Sequence, residues 1–320
     1  MRIAAGGFGI ERRKMDEERN RTNPAPLAEQ TCFFTLIKSV EEEWNARLLI
    51  ESLRAFGGQW SHCPVWVFLP DPASASRTYA GLEDVHCVPL VVEEKIRHDF
   101  FAGKVSACAR AEEMAGRDVR SLVWLSPQCF IVNPPVLFDL PPSFDAALRP
   151  VHVKNVGSSS AEPLDDFWKG VYRTVGVDDV PFTVESFVDS QKMRPYFNTH
   201  AFSINPARGV LRTWLECFKT MVSDREFQAG PGRDEGHQIF LHQAILSTLA
   251  AKLLDWERIR ILPPEYSYPL HFHQRVPQAR RPQTLNSLVC PVYEETFRYP
   301  DTLNGIEVDE PLGSWLRERA

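Results

Sequence analysis

Short apolar runs along the chain alternate with longer stretches whose apolar positions recur every three to four residues, the pattern of strands interleaved with helices. Residues 31–37 (Thr-Cys-Phe-Phe-Thr-Leu-Ile) give the first strand. Trp44, Leu48, Leu49, Leu53 and Phe56 follow at helical spacing, and Gly57-Gly58 supplies a left-handed stop. Residues 64–69 and 85–91 read as further strands, with room for a short helix over 74–82. A helix over 101–116, carrying Val105, Cys108, Ala109 and Ala115 near one face, feeds the run 121–125 (Ser-Leu-Val-Trp-Leu). A second apolar run, 129–132, is separated from it only by Ser126-Pro127-Gln128, a kink at a strand's carboxyl end. Alternation of this kind predicts an α/β fold with a mainly parallel sheet and right-handed crossovers. The carboxyl edge of such a sheet, where ligands bind, then carries Lys38, Ser39, Asp71, Ser126 and Gln128.

The second half is less regular. Residues 144–150 predict a strand, 153–163 a loop, and 165–175 a helix bearing Phe167, Trp168, Val171 and Tyr172; 176–195 shows no clear period. Residues 196–205 read as a strand, and Pro206 opens a helix through Leu211, Leu215 and Phe218. A glycine-bearing loop over 230–236 precedes a helix whose Leu241, Ile245, Leu249 and Leu253 form a core-facing stripe, and 259–262 is a short strand. Three regions are expected: a mobile leader over 1–30, a single α/β domain over 31–270, and an irregular, proline- and aromatic-rich extension over 271–320 packed on it. The leader's Gly6-Gly7-Phe8-Gly9 precedes every strand, so it does not have the context of a dinucleotide-binding loop.

Composition removes several function classes. The net charge is −6 and the basic residues are dispersed, which leaves no footprint for nucleic acid or an anionic membrane. No apolar run approaches the ~18 residues of a membrane span, and no signal-peptide pattern opens the chain. The seven cysteines stand singly, never as C-x-x-C; they read as buried thiols of a reducing, cytoplasmic compartment. G-x-S-x-G and Walker loops are absent, so hydrolase and NTPase readings have no support.

Several separated pieces together resemble a GT-A-fold nucleotide-diphospho-sugar transferase, a glycosyltransferase. They are the strand and helix over 33–56, the 64–70 strand, the Lys104 helix leading into 122–125, the Tyr196-Phe197-Asn198-Thr199 segment, and the helix carrying His242 and Gln243. The resemblance implies hexosyl transfer from a nucleotide-sugar, a UDP-sugar by default, to an unidentified hydroxyl acceptor. In that family the strand ending at Leu125 runs into Asp-x-Asp, which holds Mn²⁺ or Mg²⁺ on the diphosphate. Here the site reads Ser126-Pro127-Gln128, a hydroxyl and an amide in place of two carboxylates, so no metal ligand is expected and a divalent ion is disfavoured. Such a chain either transfers without metal or keeps the fold as a catalytically silent binding or scaffold protein.

Without a divalent ion, cationic side chains must neutralise the leaving group. Lys38, Lys104 and Arg233 are candidates, since two unit charges ~4 Å apart at an effective dielectric of ~20 interact by about 4 kcal/mol. Lys104 and Ser126 are expected at the diphosphate and Lys38 and Asp71 at the nucleotide, with Ser39 and Gln128 among the further nucleotide-sugar contacts. Asn198 and Thr199 stand where the resemblance puts the sugar, and His200 replaces an expected glycine; it is either an acid or base, with an unperturbed pKa near ~6.5, or a plug. Gln243 is a candidate for a sugar hydroxyl. Asp234 and Glu235 are candidate bases that can equally serve the positive end of the helix they precede. His237 and His242 point roughly 140° apart on their helix, so they form no zinc pair. His271 and His273 share a face if their segment is extended.

Overall fold

The computed structural model describes residues 30–70, 78–79 and 81–320. The expected leader, Asp71 and most of the 74–82 helix lie outside the described residues. The described elements run, in chain order, β1 (Thr31–Leu36), α1 (Val40–Phe56), β2 (Val65–Leu69), β3 (Val85–Pro89), α2 (Ala102–Met114), β4 (Ser121–Leu125), β5 (Ala146–Leu148), α3 (Asp166–Val175), β6 (Val184–Glu185), β7 (Lys192–Met193), β8 (Ala201–Ile204), α4 (Val210–Ser223), α5 (Arg225–Ala229), α6 (Glu235–Leu253), β9 (Ile259–Ile261), β10 (Tyr266–Pro269), β11 (Cys290–Val292) and α7 (Leu312–Arg317).

Seven strands form one mixed, mostly parallel sheet in the order β3-β2-β1-β4-β8-β5-β9. The runs of 31–36 and 121–125 are buried throughout because both sheet faces are covered. Phe33, Val65, Val67, Val123 and Leu125 pack toward α1, whereas Phe34, Leu36, Phe68, Trp124 and Phe202 pack toward the helices α2, α3, α4 and α6. From β1 the chain steps outward through β2 to β3, then returns to place β4 on β1's other side. The crevice at the carboxyl ends of β1 and β4 is therefore the sheet's topological switch point, the place where such folds bind ligands.

Several expectations change in detail. Gly57 is right-handed, and the left-handed residue after α1 is Gly58 (φ 58°). Trp44, counted in the apolar stripe of α1, is 66% exposed, and Leu253 at the end of α6 is also exposed. The 196–205 strand shortens to β8, and the patternless 176–195 stretch holds the small β6–β7 hairpin. Residues 129–132 join no strand of the main sheet. Instead, the Phe130 and Val132 amides donate to the carbonyls of Pro291 and Val289, tying this run to the chain around β11. Phe130, Tyr268, Leu270, Val276, Leu285 and Leu316 then share a third apolar cluster that holds the 271–320 segment against the sheet's carboxyl edge.

Candidate functional site

At the switch point lies a cavity of about 450 Å³. Five sequence-predicted residues, Lys38, Lys104, Ser126, Gln128 and His200, line it together with Trp124, Phe100 and Phe101. The sheet explains the convergence. Lys38 sits just past the end of β1, Ser126 and Gln128 turn off the end of β4, and α2 brings Lys104 over the same edge.

Lys38 lies across the rim. Its Nζ is 3.6 Å from the Phe100 ring centroid and 3.5 Å from the Phe100 carbonyl oxygen. Its backbone N–H donates to Glu42, while Ser39 Oγ accepts from the Glu42 N–H, a reciprocal cap on α1. Ser39 is thus the N-cap, and it lines a neighbouring cavity of about 560 Å³ that shares Leu36, Lys38, Glu42 and Phe100 with the first. The Lys38–Phe100 contact stands between the two spaces.

Lys104 reaches inward. Its Nζ donates to Thr199 Oγ1 at 3.3 Å and to the Thr199 carbonyl at 3.4 Å, with the Trp124 ring 5.8 Å away. Among the described residues it has no carboxylate in ion-pair contact. Burial lowers its pKa to about 8, with the Lys38 charge adding to the effect. Beneath it, His242 Nδ1 faces the Ile239 carbonyl at 3.0 Å, so that nitrogen carries the proton. Burial holds His242 neutral, so Nε2 accepts from Thr199 Oγ1–H at 2.9 Å. The chain Lys104 to Thr199 to His242 has one direction of donation throughout.

A second polar group backs the cavity. Asn198 Oδ1 accepts from the His200 N–H at 2.7 Å, which fixes the amide so that Nδ2 donates to His152 Nε2 at 3.2 Å. The His152 and His200 rings lie 6.3 Å apart and nearly parallel, with the His271 ring also 6.3 Å from His152. Burial lowers the His200 pKa to about 3, helped by Lys104, and that of His271 to about 4, helped by Arg275. His271 Nε2 stands 3.2 Å from a Glu294 carboxylate oxygen, and burial together with Glu295 raises the Glu294 pKa. Glu42, Glu294 and Glu295 all line the cavity.

Other predicted residues fall elsewhere. Asn198, Thr199 and Gln243 are buried behind the wall and do not line the cavity. Asp234 caps α6, its carboxylate accepting from the Gly236 N–H at 3.0 Å; Asp234, Glu235 and Arg233 are exposed and outside the lining. His271 and His273 share no extended face, because 270–275 is a 3₁₀ turn, and His273 Nδ1 pairs with the Tyr268 hydroxyl at 2.9 Å. Sequence reasoning passed over Glu42, Phe100, Phe101, His152, Glu294 and Glu295. The phenylalanines adjoin Lys104 and were within reach of the pattern; Glu294 and Glu295 arrive from the irregular extension and carry no local signal.

The residues at 126–128 do not fit a hard divalent ion. Ser126 Oγ donates to the Gln128 side-chain oxygen, so each satisfies the other. No group of three or more His, Cys, Asp or Glu placed to hold a metal ion occurs among the described residues. No described helix is long and apolar enough to cross a membrane.

No protein-family model matches the chain, and no curated protein sequence does. Solved structures do. WbbM, a bifunctional glycosyltransferase in its apo form, aligns with a TM-score of 0.50 and 10% identity, covering 93% of this chain and 52% of that one. This chain thus spans about half of WbbM, and at that identity the likeness shows a shared fold. The apo form of mouse xyloside xylosyltransferase 1 aligns with a TM-score of 0.46 and 12% identity, over 75% of this chain and 87% of that one.

Proposed function

We propose that the protein is a glycosyltransferase that moves a hexosyl group from a nucleotide-diphospho-sugar, a UDP-sugar by default, to a hydroxyl acceptor, with lysines in the place of a divalent ion. The observation that carries this reading is the gathering of Lys38, Lys104, Ser126, Gln128 and His200 around one open cavity at the switch point. In this reading the nucleoside takes the neighbouring space past Lys38 and Phe100, and the diphosphate lies against the two ammonium groups. Two charges at that range supply several kcal/mol to the leaving group, about 4 kcal/mol each at ~4 Å and an effective dielectric of ~20. His200 is neutral at physiological pH, so it hydrogen-bonds a hydroxyl and does not pair with phosphate. Glu294, held by His271 and with its pKa raised, is the carboxylate suited to take the acceptor's proton. The free cysteines fit a cytoplasmic setting.

Ligand linkage tests the binding half of this reading. UDP should raise the melting temperature without added Mn²⁺ or Mg²⁺, and a flat response across a nucleotide-sugar panel, with and without metal, would sink it. A catalytically silent reading has one observation in its favour: three carboxylates, Glu42, Glu294 and Glu295, share the lining with the two lysines. Hydrolysis of a bound UDP-sugar by the wild type, lost on Lys104→Ala, excludes silence; binding without any turnover favours it.

A further inference from the structure

Arg149 directly follows β5 and lines a cavity that shares no residue with the candidate site. Its residue is only 4% exposed, its guanidinium makes no hydrogen bond among the described residues, and Nε and Nη2 are enclosed without a partner. The half-buried Arg120 and Arg54 differ. Arg120 donates to the carbonyls of Leu140, Pro141 and Phe144, and Arg54 donates to those of Ser61, Cys63 and Glu83. Because a guanidinium does not deprotonate in proteins, Arg149 cannot escape the cost of burial by losing its charge. What it touches is the Phe187 ring, 5.3 Å away, and the wall of a cavity of about 420 Å³.

The rest of that wall limits what can enter. Arg280 lines it, its Nη1 donating to the Phe187 carbonyl at 2.9 Å and its Nη2 standing 3.5 Å from Glu185. Glu185 and Glu265 line it too, and neither is in ion-pair contact with Arg149. Two arginines call for an oxyanion, and Nη1, the guanidinium nitrogen of Arg149 that is not enclosed, is the one placed to give a carboxylate a charge-assisted hydrogen bond. Two flanking carboxylates repel a dianion, and they favour a ligand that also offers hydroxyl donors.

We propose that this cavity is a second binding site, separate from the switch point, for the carboxylate of a small hydroxylated acid of the sugar-acid class, with Arg149 and Arg280 on the carboxylate and Glu185 and Glu265 on its hydroxyls. The site does not depend on the glycosyltransferase reading, so either can fail alone.

The test uses the full chain and thermal unfolding with D-glucuronate, D-glucose and inorganic phosphate at matched ionic strength. D-glucuronate should raise the melting temperature, while glucose and phosphate should do so much less. Arg149→Met, which removes an unpaired buried charge, should abolish the glucuronate shift and leave the UDP response intact. Arg280→Ala, on the more exposed side of the cavity, should weaken glucuronate about tenfold or more, the loss expected of one charge-assisted contact, and it carries the test if the first variant does not fold. No shift with glucuronate, an equal shift with glucose or phosphate, a glucuronate shift that survives Arg149→Met, or one that Arg280→Ala leaves unweakened overturns the assignment.

Discussion

Lys104 Nζ lies 3.3 Å from Thr199 Oγ1, whose own proton goes to His242, so an ammonium with no carboxylate in ion-pair contact is held at the cavity by a hydroxyl and an imidazole. The arrangement orients the charge without cancelling it. An incoming anion therefore meets a cation that has already lost most of its water, where an electrostatic contact is worth more than at an exposed site.

The pKa of about 8 gives this a pH signature. UDP affinity should be steady near neutrality and fall above about pH 8, by up to about tenfold per pH unit, as free Lys104 loses its proton. Lys104→Arg should flatten the profile because arginine stays charged. Calorimetric titration of UDP across the alkaline range checks it; an unchanged affinity in the wild type would remove Lys104 from the binding event.

Acid should destabilise the protein through its enclosed histidines. His200 and His271 have folded pKa values of about 3 and about 4, and His152 and His242 lie well below the usual imidazole range, all driven first by burial. A depressed folded pKa means that the unfolded chain binds more protons. The stability these groups provide is complete above their unfolded value, near ~6.5, and is lost as pH falls toward the folded values. Urea midpoints should therefore drop steadily from pH 7 toward pH 4, and His152→Phe should flatten part of the slope. A constant midpoint over that range would contradict the neutral, enclosed state of the cluster.

The main sheet was legible because its strands are buried on both faces and its helices are amphipathic, so each announces itself over a handful of neighbours. Lys38, Lys104, Ser126 and Gln128 were legible for the same reason, since each flanks a strand end or opens a helix that the pattern locates. His152, His271, Glu294 and Glu295 were not. They reach the site through irregular chain, and the segment carrying Glu294 is pinned by the pairing of 129–132 with the chain around β11, a relation between residues far apart in sequence. Asp234 shows the opposite problem: a carboxylate before a helix reads alike as cap or as base, and only the Gly236 hydrogen bond assigns its position.

Asp145 is the most heavily partnered carboxylate away from the cavity. It is 1% exposed and accepts from Arg258 Nε at 2.5 Å, Arg208 Nη2 at 2.7 Å and Asn205 Nδ2 at 2.8 Å, joining β5 to the ends of β8 and β9. Asp145→Asn keeps the shape but strands guanidinium donors. The cost should be about 2–3 kcal/mol, below the about 3–5 of a fully enclosed pair because Arg208 and Arg258 reach water. Chemical denaturation should show that loss with UDP binding at native levels intact; a neutral substitution would mean the arginines find other acceptors.

Thr199→Val separates the role of the hydroxyl from that of the backbone. Valine matches threonine in shape, and Trp124 Nε1 keeps its 2.9 Å bond to the residue 199 carbonyl, so the wall should stay in place. What disappears is the donor to His242 Nε2 and one acceptor for Lys104, which leaves two enclosed polar groups short of a partner at a cost of about 1–3 kcal/mol. With less to stabilise its ammonium, Lys104 should lose its proton at lower pH, and the alkaline fall in UDP affinity should begin below the wild-type value of about 8. Thr199→Ser restores both bonds and should restore both properties. If valine lowers stability but leaves the UDP profile unmoved, Thr199 only supports the wall and the oriented chain from Lys104 to His242 plays no part in binding.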